Sequence, residues 1–214
     1  MHLLLTDRLV CPRCGPGFGL ILRADRLDDR RVIRGGLGCP NCREVYPVAE
    51  AVADLRPPPR ADHPTGADPV LPDDEETLRA QALLGITAGP GHVLLVGRAA
   101  RFASGLASRV PDLEVVAAGP VPSAPSAGPP GEEAGVQGWS RVHLGETLPF
   151  DSRSLGGVLL DGDATVRRLR EAARVVTAGG RVVILDAPEG AAGTLMAAGL
   201  TVRLDESGVV VAGR

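Results

Sequence analysis

The sequence has no lysine, few aromatic residues and no long apolar run. All 23 basic residues among the 214 are arginines, against 26 acids and a formal net charge of -3. Proteins that bind nucleic acid mainly through its phosphates carry a strong basic excess, so this balance argues against that class. Aromatic residues make up only 2 % of the chain, so we expect a core of Val, Leu, Ile and Ala.

The apolar stretches are short, and this bears on membranes and secretion. The longest, such as 93–96 and 182–185, are far below the roughly 18–20 residues that a membrane helix needs. The segment Met1–Asp7 has no basic region, and its apolar run is too short for a signal peptide. We therefore expect a cytoplasmic protein without a membrane partner. The 28 Gly and 19 Pro residues indicate many turns or a long linker.

Four cysteines form two pairs, Cys11 with Cys14 and Cys39 with Cys42. Both pairs have Cys-x-x-Cys spacing, so a tight turn in each can point two sulfurs at one ion. Two such turns supply four thiolates in a tetrahedron, which is the coordination of structural zinc. Because four sulfur ligands leave no open position for a substrate, we predict a structural zinc ion and no catalytic metal.

A disulfide framework and a redox-active pair are the alternatives to zinc for these cysteines. Disulfides need an oxidising compartment, for which the chain shows no secretion signal, and a redox pair needs no matching second pair. Between the pairs, Phe18–Arg23 and Arg31–Leu37 predict a hairpin around a charged turn at 24–30, and Glu44–Val48 predicts a further strand. Together these features predict a small zinc ribbon that depends on the metal to fold.

The ribbon segment resembles a known family. Leu9–Cys14, Cys39–Cys42 and Tyr46–Val48 are similar to the small zinc-ribbon activator subunit of tRNA, rRNA and protein methyltransferases and its bacterial relatives. The resemblance covers residues 1–56. Where that family continues into an acidic-Gly-Ile-Pro stretch, this chain has Glu50–Ala53. Members of the family activate a methyltransferase by docking on it, so the resemblance implies a role in protein interaction.

A region rich in proline and acidic residues follows the ribbon. Consecutive prolines at Pro57–Pro59 favour an extended, semi-rigid spacer. The acidic run Asp73–Glu76 suits the first turn of a helix, with a docking motif as the other interpretation. We predict three parts, namely a zinc ribbon at 1–56, a linker at 57–76 and an α/β domain at 77–214.

The rest of the chain alternates strand and helix patterns. Strands are predicted at 92–97, 113–118, 139–144, 155–160, 181–186 and 209–212, and helices at 99–109, 165–176 and 191–198. Residues 119–138 are rich in Gly, Pro, Ala and Ser and are predicted to be a flexible loop. The alternation predicts an α/β, Rossmann-like fold with a mostly parallel sheet flanked by helices. Ligands of such folds bind outside the carboxyl ends of the strands.

This second region also resembles a family. Leu148–Asp151 and Leu155–Leu159 are similar to the Leu-Pro-Phe segment and fourth strand of class I S-adenosylmethionine-dependent methyltransferases. Leu169–Val176, Gly179–Ile184 and Ala198–Leu200 resemble that family's next helix, Gly-Gly turn and fifth strand, and a later turn. The resemblance covers about residues 77–214. It implies a methyltransferase-like fold.

The positions that contact the cofactor in that family differ in this chain. The family's first strand carries an acid and ends in Gly-x-Gly-x-Gly, whereas here Leu95 replaces the acid and only Gly97 remains of the glycines. Arg98 and Arg101 add bulk and positive charge near the site of a sulfonium cation.

Two further acids of the family pattern are absent. The second strand ends in Ala118-Gly119, where the family has an acid for the ribose hydroxyls, and the acid before Leu-Pro-Phe falls at Leu144 with Glu146 as a displaced substitute. Each lost contact to a charged group is worth on the order of 1.5–3 kcal/mol. We therefore predict no cofactor-binding residues and no productive binding of S-adenosylmethionine.

Several side chains are weaker candidates for chemistry. Asp161-Gly162-Asp163 follows the fourth strand of the α/β region and is either a substrate-side acid or a strand-end turn with helix capping. His143, near the end of the third strand, is a candidate general base, and Asp186 closes the fifth strand. We assign no catalytic residue from the sequence.

Arginines provide two candidate binding surfaces. Arg30, Arg31 and Arg34 on the ribbon hairpin are candidates for RNA contact, without aromatic residues for base stacking. The helical segment 165–176 carries four further arginines, which predict a solvated face available to a partner.

The sequence therefore predicts a non-catalytic, zinc-binding interaction protein with a methyltransferase-like domain that has lost its cofactor site. Its expected partner is another protein or complex, with RNA as a second candidate. The alternative is an S-adenosylmethionine-dependent methyltransferase, acting on RNA, protein or a small molecule, with an activator-like ribbon in the same chain. A fold of this kind is compatible with both, because fold does not fix function.

Overall fold

A computed structural model describes residues 1–60, 70–120 and 139–214 of the chain. Most of its strands lie in one 11-stranded sheet, and a separate two-stranded sheet lies near the N-terminus. The fold is mixed α/β, as the alternating sequence pattern predicts.

The first 60 residues are almost entirely β-structure. A 3-10 helix at Leu3–Arg8 precedes six strands. These are β1 (Val10–Cys11), β2 (Gly15–Gly19), β3 (Ile21–Asp28), β4 (Arg31–Gly38), β5 (Val45–Ala49) and β6 (Val52–Asp54). The predicted hairpin is confirmed, since β3 and β4 pair antiparallel. The charged turn is shorter than predicted, because β3 continues to Asp28 and the positive φ angles fall at Asp29 and Arg30.

The remaining residues supply the helices and the other strands. They form α1 (Asp74–Leu84), β7 (Gly91–Gly97), a 3-10 helix (Arg98–Phe102), α2 (Ala103–Arg109), β8 (Leu113–Ala118), β9 (Trp139–His143), β10 (Leu155–Asp161), α3 (Val166–Val175), β11 (Val176–Leu185), α4 (Ala191–Ala197), β12 (Thr201–Glu206) and β13 (Val209–Gly213). Of these, β12 is missing from the sequence prediction, and β11 begins five residues early. The predicted loop at 119–138 falls largely outside the described residues.

Helix α1 begins where the acidic run predicts. Asp73 is its N-cap and accepts a 2.7 Å hydrogen bond from the N–H of Glu76, while the Glu76 carboxylate accepts one from the N–H of Asp73 at 3.1 Å. This reciprocal pair satisfies two N–H groups that a helix start leaves without partners.

The order of strands in the large sheet is β12-β13-β11-β10-β7-β8-β9-β6-β5-β4-β3. Strands β11, β10, β7, β8, β9 and β6 pair parallel, whereas β13, β12 and the ribbon strands β3–β5 pair antiparallel. Within the parallel part, the chain first runs outward from β7 to β8 and β9 and then restarts on the other side at β10. The reversal between β7 and β10 is the switch point at which doubly wound sheets bind ligands.

Helices cover both faces of the parallel part. Alternate residues of β7, such as Val93 and Leu95, pack with α1 and α2, whereas Leu94 and Val96 belong to a cluster with α3 and α4. This alternation follows from the two-residue period of a strand and makes β7 apolar on both sides.

The ribbon is continuous with the α/β part. Strand β6 pairs parallel with β9, matching Asp54 to His143, and Leu9 bridges Phe150. The hydrophobic cluster on the α3 and α4 face also includes ribbon side chains such as Tyr46. The ribbon and the α/β part therefore share one sheet and one cluster of buried residues.

Candidate functional site

The four cysteines come together at one end of the ribbon. Cys11 ends β1 and Cys14 lies in the turn to β2, while Cys39 follows β4 and Cys42 precedes β5. All four thiols are free, and their sulfurs lie within 4.8 Å of one another. Cys11 and Cys39 are buried and the other two are partly buried. The fold thus assembles the cluster that the two sequence pairs predict.

The spacing of the sulfurs fits a four-coordinate metal. Cys11 Sγ and Cys42 Sγ are 3.7 Å apart, and Cys14 Sγ and Cys39 Sγ are 3.9 Å apart. A tetrahedron with zinc–sulfur bonds of about 2.3 Å has sulfur–sulfur edges of about 3.8 Å. The donor set and its size therefore match structural zinc, and a zinc ion would be held by these four thiolates.

Polar hydrogens surround the sulfurs. The backbone N–H of Cys14 donates to Cys11 Sγ at 3.4 Å, and the Asn41 side-chain amide donates to Cys14 Sγ at 3.4 Å. The Tyr46 hydroxyl lies 3.5 Å from Cys11 Sγ. Donors in this position stabilise negative charge on sulfur and orient metal ligands.

A second candidate site lies at the switch point of the sheet. Gly97 ends β7 with φ of 70°, and a Cβ built there would lie 2.3 Å from the Asp161 carbonyl oxygen. A Cβ on Gly119 would lie 2.2 Å from the carbonyl oxygen of Gly97. The carboxyl ends of β7, β8 and β10 therefore approach so closely that both positions require glycine.

The side chain of Arg98 crosses the carboxyl ends of these strands. Its guanidinium donates to Asp161 Oδ1 through Nε at 2.8 Å and Nη2 at 2.6 Å, and to Asp186 Oδ2 at 3.0 Å. The Asp161 side chain is 7 % exposed, whereas those of Arg98 and Asp186 are 59 % and 78 % exposed. Hydrogen bonds to Asp161 and then Asp186 raise the pKa of Arg98 above its ordinary value. One cation thus joins the ends of β7, β10 and β11.

The other two candidates for chemistry differ in their distance from this cluster. Asp163 lies beside it, because its Cβ would be 3.6 Å from a Cβ on Gly97, but its carboxylate pairs with Arg168 of α3 at 2.8 Å, and the N-cap of α3 is Thr165. His143 ends β9, and its carbonyl accepts a hydrogen bond from Leu55. Three strand spacings lie between β9 and β10, or about 14 Å, so the sheet does not bring His143 to Asp161.

The arginines singled out in the sequence have different roles. Arg31 is not available to RNA, because its side chain is 13 % exposed, lies 3.9 Å from Glu114 and donates to the Trp139 carbonyl at 2.7 Å. Arg30 and Arg34 are exposed. Arg101 pairs with Glu76 of α1 at 3.4 Å. Of Arg98 and Arg101, only Arg98 therefore adds positive charge at the ends of β10 and β11.

The other residues that differ from the methyltransferase pattern lie where the sequence predicts them. Leu95 is fully buried toward α1 and α2, and β8 ends in Ala118. Glu146 lies on the surface and pairs with Arg167 at 3.0 Å. Among the four arginines of α3, Arg168 and Arg174 are internal ion-pair partners, so the predicted solvated face is narrower than expected.

Sequence reasoning missed two polar arrangements. It named Arg98, Asp161 and Asp186 separately, although their shared position after strands predicts a common edge of the sheet. It also missed the Arg174 clamp, in which the guanidinium binds Glu171 and the carbonyls of Leu148 and Phe150. The i,i+3 spacing of Glu171 and Arg174 on α3 could have predicted their ion pair, whereas no local spacing marks the two carbonyls, which lie on a different segment.

The fold and the two clusters define a doubly wound α/β protein with a four-cysteine, zinc-type ribbon built into its sheet. No family model matches the chain, and no curated protein matches its sequence. The resemblance of residues 1–56 to the methyltransferase-activator family therefore remains a prediction. No helix in the described ranges 1–60, 70–120 and 139–214 has the length and apolar character needed to span a membrane.

Solved structures with a similar fold include several methyltransferases. A putative methyltransferase from an antibiotic biosynthesis pathway of Anabaena variabilis matches at 17 % identity and a TM-score of 0.40, over 56 % of this chain and 47 % of that one. A SAM-dependent methyltransferase from Aquifex aeolicus matches at 17 % identity and a TM-score of 0.46, over 65 % of this chain and 88 % of that one. Precorrin-6y C5,15-methyltransferase from Geobacter metallireducens matches at 12 % identity and a TM-score of 0.48, over 70 % of this chain and 93 % of that one. The chain thus spans about half the length of the Anabaena protein.

Proposed function

We propose that this chain is a non-catalytic interaction protein, in which a zinc ribbon extends a methyltransferase-like sheet whose ligand crevice is closed by its own arginine. The observation that carries this proposal is the bond of Arg98 to Asp161 at 2.6 and 2.8 Å at the switch point. The proposed partner is another protein or complex. Zinc coordination requires reduced cysteines, so the proposed metal agrees with a cytoplasmic location.

The charge of the crevice supports this function. S-adenosylmethionine carries a sulfonium cation, and Arg98 places a guanidinium in the same crevice. The Asp161 carboxylate is the one strongly buried acid of this cluster, and Arg98 already neutralises it. A cationic ligand would have to displace Arg98 from Asp161 before it gained any attraction from that acid.

The proposed zinc ion has a structural role. Four thiolates close its coordination shell, so no position remains for a substrate or water. Cys11, Cys14, Cys39 and Cys42 are the proposed ligands, and they join β1, β4 and β5 at the end of the ribbon. Metal analysis of the purified chain should give one zinc per chain, and each Cys→Ser variant should lose it.

An S-adenosylmethionine-dependent methyltransferase is the second candidate. The order β9-β8-β7-β10-β11, with its switch point, favours a ligand crevice of the kind that nucleotide-like cofactors occupy. An active enzyme requires Arg98 to leave the crevice, which its 59 % exposure permits.

Calorimetric titration separates the two candidates. Zinc-loaded protein is titrated with S-adenosylmethionine and with S-adenosylhomocysteine, as the wild type and as Arg98→Ala. Arg101→Ala is the matched control, because it removes a neighbouring arginine that pairs with Glu76 outside the crevice. The first candidate predicts no heat of binding for the wild type and the control at millimolar ligand.

Three outcomes are informative. Micromolar binding by the wild type would overturn the non-catalytic proposal and direct the search to a methyl acceptor. Binding only by Arg98→Ala would show a retained crevice that the arginine closes. No binding by any variant would mean that the missing glycines and acids, rather than Arg98, prevent binding.

A further inference from the structure

Strand β3 forms one edge of the 11-stranded sheet, and its outer side has no strand partner within the described residues. It is eight residues long, and seven of its residues are exposed. Two of them are large and apolar, namely Ile21 at 64 % exposure and Leu27 at 53 %. An edge strand offers unpaired N–H and C=O groups to another strand, and exposed apolar side chains favour such pairing.

Charges and a bulge restrict which strand can pair with this edge. Arg23 and Asp25 lie between the two apolar residues, with Nε and Oδ1 3.8 Å apart and side chains 83 % and 51 % exposed. The register with β4 shifts between Ala24 and Arg26 and shifts back between Arg26 and Leu27. Charged residues and bulges discourage indiscriminate edge pairing, so a suitable partner must present an acid to Arg23 and a base to Asp25.

A second copy of β3, run antiparallel, presents that order. With the twofold axis at Ala24, Ile21 lies opposite Leu27 and Arg23 lies opposite Asp25 of the other chain. Each contact occurs twice, because a twofold interface is self-complementary. Opposite charges and apolar pairs directly across two strands are stabilising, and like charges are destabilising.

We propose that two copies of this chain associate through antiparallel pairing of their β3 edges, with Arg23 of each copy facing Asp25 of the other. The proposal does not depend on whether the crevice binds a cofactor. Ile21 also forms a wall of an apolar groove with Gly36, Gly38 and Val45, so further apolar surface lies beside the edge. One strand pair is a small interface, so we expect a reversible dimer of roughly micromolar or weaker affinity.

The opposite edge of the sheet provides a comparison. Strand β12 also carries an Arg-x-Asp sequence, at Arg203 and Asp205. Its apolar residues Val202 and Leu204 pack against the buried clusters and are only partly exposed. β12 therefore offers the same charges without the exposed apolar pair, which is why β3 is the proposed interface.

Variants that reverse the charges of Arg23 and Asp25 test this pairing. Their self-association is measured by sedimentation equilibrium on the zinc-loaded full chain. The wild type should dimerise with rising concentration. Arg23→Asp and Asp25→Arg should each weaken self-association by about tenfold or more, since each variant creates two like-charge contacts. An equimolar mixture of the two variants should associate like the wild type, and so should the double variant R23D/D25R.

The double variant R203D/D205R on β12 is the matched control and should dimerise like the wild type. Thermal unfolding of each variant should stay near that of the wild type, because Arg23 and Asp25 are exposed. A wild type that stays monomeric at several hundred micromolar would overturn the proposal. Single variants that still dimerise, or a mixture that does not recover association, would also overturn it.

Discussion

The backbone N–H of Leu55 donates a 2.9 Å hydrogen bond to the carbonyl oxygen of His143, and this bond extends the pairing of β6 with β9. Nearby, the N–H of Val10 donates to the Pro149 carbonyl at 2.9 Å, and the N–H of Asp151 donates to the Arg8 carbonyl at 2.8 Å. Backbone bonds therefore cross from the ribbon to the α/β part at several points. Loss of order in the ribbon should therefore also destabilise β9.

Removal of the metal should consequently destabilise more than the ribbon. Chelation of zinc from the purified protein should lower the midpoint of one cooperative thermal transition, because the two parts share a sheet and buried residues. Amide hydrogen exchange should rise in β9 as well as in β4 and β5. Protection in β9 that is unchanged after chelation would show that the ribbon unfolds alone, and re-addition of zinc is the control for damage.

The partly buried pair of Arg31 and Glu114 also connects the two parts. Their side chains are 13 % and 12 % exposed, and Ser140 donates a hydrogen bond to Glu114. Arg31→Met should lower the free energy of unfolding by about 1–3 kcal/mol, because it leaves a partly buried carboxylate without this cation. Arg31→Met/Glu114→Gln should recover at least half of that loss in denaturant unfolding.

Arg34→Met is the control for this pair, since Arg34 is exposed on the same strand β4. It should change the free energy of unfolding by less than about 0.5 kcal/mol. A double variant no more stable than Arg31→Met would contradict the assigned role of the ion pair.

The Glu171 carboxylate should make stability depend on acid pH. Burial alone would raise its pKa, but hydrogen bonds and charge from Arg174 outweigh burial and hold it below its ordinary value. The unfolded chain then binds more protons in this range, so the stabilisation is complete above about pH 4.5 and is lost as the pH falls through the folded pKa. Glu171→Gln should cost about 1.5–3 kcal/mol near pH 7 and progressively less below pH 4.5.

Urea unfolding at a series of pH values measures this difference between the wild type and Glu171→Gln. Arg174→Gln should remove the same pH-dependent part of the free energy of unfolding. Its total loss of stability should be larger, because Arg174 also binds the Leu148 and Phe150 carbonyls. A difference that stays constant from pH 7 to pH 3 would contradict the prediction.

Gly97 should tolerate no side chain. Gly97→Ala would combine a positive φ with a Cβ 2.3 Å from the Asp161 carbonyl oxygen, so it should destabilise by at least about 2 kcal/mol. Gly179→Ala is a matched control with φ of +79° and open space around the new Cβ. It should cost only about 1 kcal/mol. Equal losses in thermal unfolding would mean that the close approach of β7 to β10 is not what requires Gly97.

The sequence by itself determined the local features. Cys-x-x-Cys spacing within each pair predicted the cysteine cluster, because a tight turn brings both sulfurs of a pair to one side. Asp73 and Glu76 predicted the start of α1, because their contacts lie within one turn. Apolar runs such as 93–96 predicted buried parallel strands, because a strand covered on both faces has no polar side.

Only the tertiary structure decided the contacts between distant residues. The pairing of β6 with β9 was not predictable, because a short strand such as Val52–Asp54 carries little pattern and its partner is set by the whole sheet. The ion pair of Arg98 likewise depends on Asp161, 63 residues away. The sequence placed each charged group at a strand end, and the order of strands decided which of them meet.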